Sequence, residues 1–438
     1  MTSVVAYFQV HQPFRLRRYT FFDIGVDSRW FDDAENERIV RRVAERCYVP
    51  MNALLLRAIE RTRGKFRCAF SLSGTAIDQM ERWAPEALEG FVRLARTGSV
   101  EFLGETSHHS LAFLADEEEF RAQVVRQADR VERLFGRRPT TFRNTELVVD
   151  EGVARAIEDA GFTALLGEGA DHLLAGRDPG AVYGVAGCGD LRLLLRTYRL
   201  SDDIAFRYSN RTWSGWPLTP AKFAASLDEV PEDAALAGLF MDYETFGEHQ
   251  WAETGILQFM EDLPEAVLAL PRFDFATPSE VAARHAPTER LDVPHPVSWA
   301  DAERDLTAWL GNPMQREANL ALYAMLPSIR RSADPDLQEA WRRLSTSDHL
   351  YYMCTKWFAD GAVHKHFSPY ATPHDAFIAY MNVLDDLERR AASAARGAAP
   401  PVPEAPEAPR PPAPAAPRPA GTPSRRPAKR HRKHPRRR

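Results

Sequence analysis

The sequence predicts an α/β chain, a barrel of parallel strands followed by a small helical bundle. Three observations predict it. Short apolar runs alternate with amphipathic helical stretches from the N-terminus to about residue 280. From about Pro296 onward the periodicity is helical only. Finally, 13 of the 32 prolines fall within residues 400–438, which cannot belong to either pattern. Strands separated by helical stretches of roughly 10–20 residues imply parallel pairing through crossover connections.

The elements follow in order. VVAYFQV (4–10) reads as a strand that stops at His11-Gln12-Pro13. CYVPMNALLLRAIERTRG (47–64) reads as a helix ended by its glycine, and KFRCAFSLSG (65–74) as the next strand. Residues 75–98 have helical spacing, and SVEFLGE (99–105) returns to strand. Asp116 to Gly136 is a helix with acids in its first turn and arginine in its last, the arrangement the helix dipole favours. TTFRNTEL (140–147) is expected as a strand, 149–161 as a helix, FTALLGEG (162–169) as a strand, and LAGLFM (236–241) and RFDFAT (272–277) complete the series. DAERDLTAWLGN, QREANLALYAMLPSI and PHDAFIAYMNVLDDLERR are helical in period. The expected division is therefore 1–295 for the barrel, 296–392 for the helical bundle and 393–438 for a tail.

Composition narrows the class. With 44% hydrophobic and 27% charged residues in 438, most of the chain can build a core. No apolar run reaches the length of a membrane span, and the N-terminus lacks the basic start of a signal peptide. Cys47, Cys68, Cys188 and Cys354 are far apart with no CxxC pair, so a reducing cytoplasm is expected and structural zinc or disulfides are not. The net charge of −5 conceals nine Lys and Arg without an acid in residues 425–438. The Ala/Pro/Arg-rich tail has too little apolar surface to offset its ordering entropy and is expected to be disordered. Non-specific contact with an anionic polymer is the partner its charge permits.

Polar clusters close the predicted strands: His11-Gln12, Glu101 with Glu105, His108-His109, Arg143-Asn144-Thr145-Glu146, and Asp242-Tyr243-Glu244. Side chains at the carboxyl ends of barrel strands line active sites, and unpaired charge there is costly for structure alone. One such end is ordinarily a helix cap or an ion pair; several converging ends mark a site. Carboxylates with histidines and an arginine suit glycoside hydrolysis by a pair of acids, or hydrolysis assisted by a divalent metal. Spacing alone leaves both open.

The set HQP (11–13), VEFLGET (100–106) with His109, FRNTEL (142–147), FMDYETFGEH (240–249) and TSDHLYYMCTKW (346–357) resembles glycoside hydrolase family 57, specifically its α-amylase-like branch. The resemblance implies a distorted (β/α)7 barrel with a helical domain packed on its carboxyl face, completing the active site. It also implies α-glucan substrates and a retaining double displacement. By motif, Glu146 matches the catalytic nucleophile and Asp242 the general acid/base. His11, Glu101 and Asp348 match positions lining the sugar subsite, and His109 is the matching histidine of its pair. No cofactor or metal is implied, and no membrane.

The proposed chemistry makes demands on these residues. Glu146 must be ionised, which Arg143 would favour, although residues three apart on a strand face opposite sides. Asp242 must keep a proton, and Glu244, two residues on along an extended strand, would raise its pKa by like charge. Trp213 and Trp216, in a Gly- and Ser-containing loop, are candidate sugar platforms, with Trp251 and Trp357 as further candidates. The alternatives are a 4-α-glucanotransferase or branching-type transglycosylase with the same site, a metal-dependent polysaccharide deacetylase, and a catalytically weak glycan-binding protein. A deacetylase would need an HxxxH motif where His108 and His109 are adjacent.

Overall fold

The computed structural model describes residues 1–332, 334–356 and 368–397. Ten strands are formed among the described residues: β1 (Thr2–Val10), β2 (Cys68–Leu72), β3 (Val100–Phe102), β4 (Thr141–Arg143), β5 (Ala164–Glu168), β6 (Tyr183–Val185), β7 (Arg192–Arg196), β8 (Leu236–Asp242), β9 (Phe273–Phe275) and β10 (Glu289–Leu291). They lie in two five-stranded sheets. The first runs β3-β2-β1-β8 with β9 also on β1, and the second runs β10-β6-β7-β5-β4. Every ladder is parallel except the short β6–β7 contact. All nine residues of β1 are buried, as a parallel strand covered on both faces requires.

The continuous ring expected of a barrel is not formed: among the described residues no ladder closes the sheet. The sheets approach each other at two places instead. One parallel bridge joins Gly104 to Phe142, and Thr197 at the end of β7 donates its N–H to Gly238 of β8 (2.9 and 2.8 Å for Gly104 N to Thr141 O and Thr197 N to Gly238 O). Between the sheets lies one apolar cluster with contributions from both, including Val5, Tyr7, Ala69, Leu103, Leu166, Leu194 and Phe240.

Three of the strands, β6, β7 and β10, fall where the sequence gives no strand signal. RLLLR in β7 is an apolar run of three between arginines, too short to separate from a helical turn by period. The helix expected over 47–64 instead begins at Asp33, passes through a π-turn at Ala44–Tyr48 and continues as Val49–Arg61. The helix Glu117–Phe135 matches its expected bounds for local reasons: Asp116 caps it by accepting from Glu119 N, and Gly136 closes it at φ 80.

Beyond residue 306 the described chain is helical, with segments Pro313–Ala324, Pro335–Leu344, Ser347–Tyr351 and Pro373–Gly397 among them. Their apolar faces form a separate cluster around Trp309, Trp341, Tyr380 and Leu387, which also receives Tyr19 and Trp30 from the loop after β1. The last helix extends to Gly397, past the expected start of the tail at 393. Residues 398–438 and Trp357 lie outside the described residues. No described helix is long and apolar enough to cross a membrane.

Candidate active site

The register of the first sheet sets the floor of the site. Gln9 of β1 is level with Ser71 of β2 and Asp242 of β8, and parallel partners point the same way. Gln9 accepts from Ser71 Oγ (2.6 Å) and Tyr7 Oη (2.8 Å). Its amide donates to Glu105 Oε2 at 3.4 Å. Asp242 therefore ends β8 beside a row of hydrogen-bonded polar groups, at the carboxyl end of the strands.

Glu146 arrives by a turn, not by a strand. The strand expected over 140–147 stops at Arg143, and Thr145–Leu147 forms a tight turn in which Glu146 and Leu147 have φ of 57 and 52. Left-handed backbone costs a non-glycine residue of order 1–2 kcal/mol. Among the described residues seven non-glycine positions have positive φ, and five of them (His109, Glu146, Leu147, Asp301 and Arg304) fall in the segments that build this site. Strain concentrated in this way is a mark of function. The turn also removes the objection to Arg143: the alternation of a strand no longer applies, and its charge reaches Glu146.

Glu146 is held by both carboxylate oxygens. Oε1 meets His109 Nε2 at 3.0 Å, and Oε2 accepts from the Trp299 indole N–H at 2.7 Å. Burial pushes its pKa up, but the His109 contact, the Arg143 charge and the Trp299 donor outweigh it and hold the group below its ordinary value. His109 is the converse case. Burial opposes its charge, yet Glu105 (Nδ1 to Oε2, 3.3 Å) and Glu146 raise its pKa to about 9, so it is an imidazolium at neutral pH. Its ring stacks on that of His11 with centroids 3.9 Å apart. Burial and the adjacent His109 charge lower the pKa of His11, which is neutral. In that state His11 donates from Nε2 to Asp348 (2.8 Å) and accepts at Nδ1 from Ser73 Oγ (2.7 Å).

Asp348 comes from the helical part, in the first turn of Ser347–Tyr351, and its pKa is lowered despite burial by the facing histidines. That turn is docked directly on the site: Ser347 N donates to His109 O at 2.9 Å, and Ser110 bridges Thr346. Asp242 lies on the other side of the ionisation balance. Burial first, then the charge of Glu146, raise its pKa to about 6.

Three expectations need correction. The charge that raises Asp242 is that of Glu146, and the like-charge coupling of Asp242 with Glu244, where β8 gives way to the turn Tyr243–Thr245, instead raises Glu244, the group that keeps its proton to higher pH. The Glu244 carboxyl is buried and accepts from Tyr48 Oη, which the π-turn at 44–48 aims inward, and burial with the Asp242 charge raises its pKa to about 8. Glu101 is not drawn into the cluster. Its partner in register is Ala69, two residues and ~7 Å below Ser71. There its oxygens accept from Thr141 Oγ1 (2.7 Å) and Ser279 N (2.9 Å), while Glu105 takes the place expected of it. Trp213 packs partly on the core of the first sheet, and Trp216 is 42% exposed under Arg211. The indole joined to the acids is Trp299. The PVSWAD segment at 296–301 gives no periodic signal and sits at the expected domain boundary, so nothing in the sequence marks it.

His108 turns away from His109, to Ser107 Oγ (2.8 Å) and Glu339 (3.1 Å). Among the described residues no three His, Cys, Asp or Glu are grouped as metal ligands.

Residues 5–294 match the sequence pattern of Glycosyl hydrolase family 57. A Methanocaldococcus jannaschii protein named "Putative alpha-amylase" is 36% identical over 398 residues, covering 87% of this chain and 83% of that protein. Solved structures share the fold at lower identity. The 4-α-glucanotransferase of Thermococcus litoralis superposes with a TM-score of 0.62 at 15% identity over 80% of this chain, which spans only 56% of that larger protein. A family 57 branching enzyme of Thermococcus kodakaraensis gives 0.62 at 13%, covering 89% of this chain and 90% of its own. The α-amylase AmyC of Thermotoga maritima gives 0.57 at 12%, covering 90% and 97%.

Proposed function

The chain belongs to glycosyl hydrolase family 57, and from that premise we propose that it is a retaining glycoside hydrolase of α-1,4-glucans. Glu146 is the nucleophile and Asp242 the general acid and base. The observation that carries this reading is the opposed ionisation of two neighbouring acids, Glu146 held below its ordinary pKa and Asp242 lifted to about 6. Two titratable groups whose environments push their pKa values apart take the two roles of a double displacement.

In the first step Glu146 attacks the anomeric carbon while Asp242 gives its proton to the departing glycosidic oxygen. An ester to Glu146 forms and the bond to the leaving sugar breaks. Asp242, now a carboxylate, takes a proton from water, whose oxygen attacks the same carbon and releases Glu146. His109, carrying its proton throughout, keeps the Glu146 carboxylate ionised and oriented. His11 and Asp348 line the cleft as hydrogen-bonding groups for sugar hydroxyls. Arg143, fully buried with no hydrogen-bond partner among the described residues on any of its three nitrogens, adds positive charge beside the acids.

Residues 1–295 supply the two acids in this reading, and the chain beyond 295 completes the site with Trp299 and Asp348. The close approaches at Gly104–Phe142 and Thr197–Gly238 support reading the two sheets as halves of one distorted barrel. Four buried, unpaired cysteines support a cytoplasmic location. The name of the M. jannaschii relative supports hydrolysis over transfer, and the products from maltoheptaose separate them. Products longer than seven sugars mean a transferase.

The test of the roles is stereochemical. Asp242→Asn with an activated aryl α-glucoside and azide should give the α-glycosyl azide, because azide replaces water on the ester intermediate. Glu146→Ala should give the β-azide, because azide attacks from the vacated face. The reverse pairing exchanges the roles, and full activity of both variants on glucan places the site elsewhere.

A further inference from the structure

We infer that Trp299 is a positioning residue for Glu146, an indole N–H donor with two buried guanidiniums over its ring, which fixes the carboxylate for attack. This rests on the assignment of Glu146 as nucleophile. Its basis is the set of contacts around the ring, which is more constrained than a sugar platform needs. Nε1 donates to Glu146 Oε2 at 2.7 Å, and the Trp299 backbone N–H donates to Glu146 O at 3.3 Å, so the residue holds both the side chain and the main chain of the strained turn. Arg143 lies over the ring at 4.8 Å and Arg196 at 5.9 Å.

Neither cation is free to leave. Arg143 is fully buried with no hydrogen-bonding partner among the described residues, so the ring face joins the nearby Glu146 and Asp242 carboxyls in offsetting its charge. Arg196 is fixed by Glu168 (3.2 Å), Asp202 (2.5 Å) and Phe240 O (2.8 Å). The loop carrying the tryptophan is pinned as well. Arg304 Nη1 donates to Trp299 O at 2.5 Å, Ser298 N to Arg304 O at 3.0 Å, and Asp301 and Arg304 both have left-handed backbone. Cations over an indole withdraw electron density from it and make its N–H a stronger donor. A strong donor on Oε2 restricts rotation of the carboxylate and favours its charged form.

The charged and titratable groups facing Glu146 are His109, Arg143, Asp242 and Tyr351. Of the two groups that hydrogen-bond its carboxylate, only Trp299 cannot titrate. Removing its N–H should therefore move the acid limb of the kcat/KM profile to higher pH and leave the basic limb, set by Asp242, in place. A platform or a purely structural role would not move a limb.

Two variants read this out: Trp299→Phe, and replacement of Trp299 by benzothienylalanine through site-specific suppression, which keeps the indole outline with sulfur in place of the N–H. Should the phenylalanine variant fold poorly, the isosteric one decides. The expected result with maltoheptaose is a loss of about ten-fold or more in kcat, a KM within about three-fold of the parent, and an upward shift of the acid limb. An unmoved acid limb, or a loss confined to KM, overturns the inference. Glu146→Gln is measured alongside: if it is inactive while the tryptophan variants keep a normal profile, only the inference falls. If Glu146→Gln retains turnover, the assignment of the nucleophile falls and the inference with it.

Discussion

Each acid of the site owes its ionisation to named neighbours, and the pH profile should expose them. In the proposed mechanism Asp242 must be protonated to act, so kcat/KM should fall as pH rises through about 6, the value to which burial and Glu146 lift it. The same mechanism needs Glu146 ionised, so the acid limb should lie below the ordinary carboxylate range. His109→Gln removes a cation that lowers both groups. Both limbs should then move to higher pH, with kcat/KM reduced roughly ten-fold or more. A profile that merely drops without shifting would show that His109 shapes the cleft and does not set the ionisation. The motif residues themselves were readable because they end apolar runs. Their interplay was not: the two acids Asp242 and Glu244 do couple, but burial makes Glu244 the one that holds its proton longer, and the charge that lifts Asp242 comes from Glu146 on a separate turn.

Between elements, the approach of β7 to β8 decides whether the two sheets act as one scaffold. A β-carbon on Gly238 would sit 2.4 Å from Leu195 O, so this glycine is what allows Thr197 N to reach Gly238 O and Arg196 to reach Phe240 O. Gly238→Ala is expected to cost about 1–3 kcal/mol by overpacking and to lower kcat as Arg196 shifts. An unchanged urea midpoint would show that the strands part without penalty. The docking of Ser347–Tyr351 gives a second expectation. Asp348→Ala should reduce kcat/KM roughly ten- to hundred-fold through the loss of a charged hydrogen bond to His11, with little change in Tm, because the side chain is partly exposed. Equal loss of Tm and activity would make Asp348 a fold residue. Most strands and the helical segment were legible from period and punctuation. What escaped the sequence depends on register and on long-range packing. Glu101 and Glu105 are indistinguishable in VEFLGET until the pairing of β2 with β3 sets Glu101 level with Ala69, ~7 Å below Ser71, while Glu105 lies beyond the end of β3. Trp299 acquires its role only when residues 299 and 146 meet.

Across the whole molecule the site is a seam between a core of parallel strands and a separately packed helical cluster, and the buried charges on that seam couple stability to pH. His109 binds its proton more tightly in the folded chain, with pKa about 9 against an ordinary 6.5. The stability it confers is complete below 6.5 and is lost as pH rises to 9. Glu244, lifted from 4.5 to about 8, has the same sign: the folded chain retains a proton that the unfolded chain releases, so stability falls as pH rises toward 8. His349, buried and lowered to about 4, acts oppositely, since folding excludes its proton, but that effect is complete once pH exceeds 6.5. Between pH 6.5 and 9 the first two therefore act unopposed by the third, and Tm should decline across that window. The pair His109→Gln with Glu244→Gln removes both titrations, so the double variant should melt at a lower temperature at pH 6.5 yet show a flatter dependence up to pH 9. Calorimetry at half-unit steps measures the two slopes. If the double variant declines as steeply as the parent, the protons taken up on folding reside elsewhere, and the ionisation assigned here to the seam is wrong.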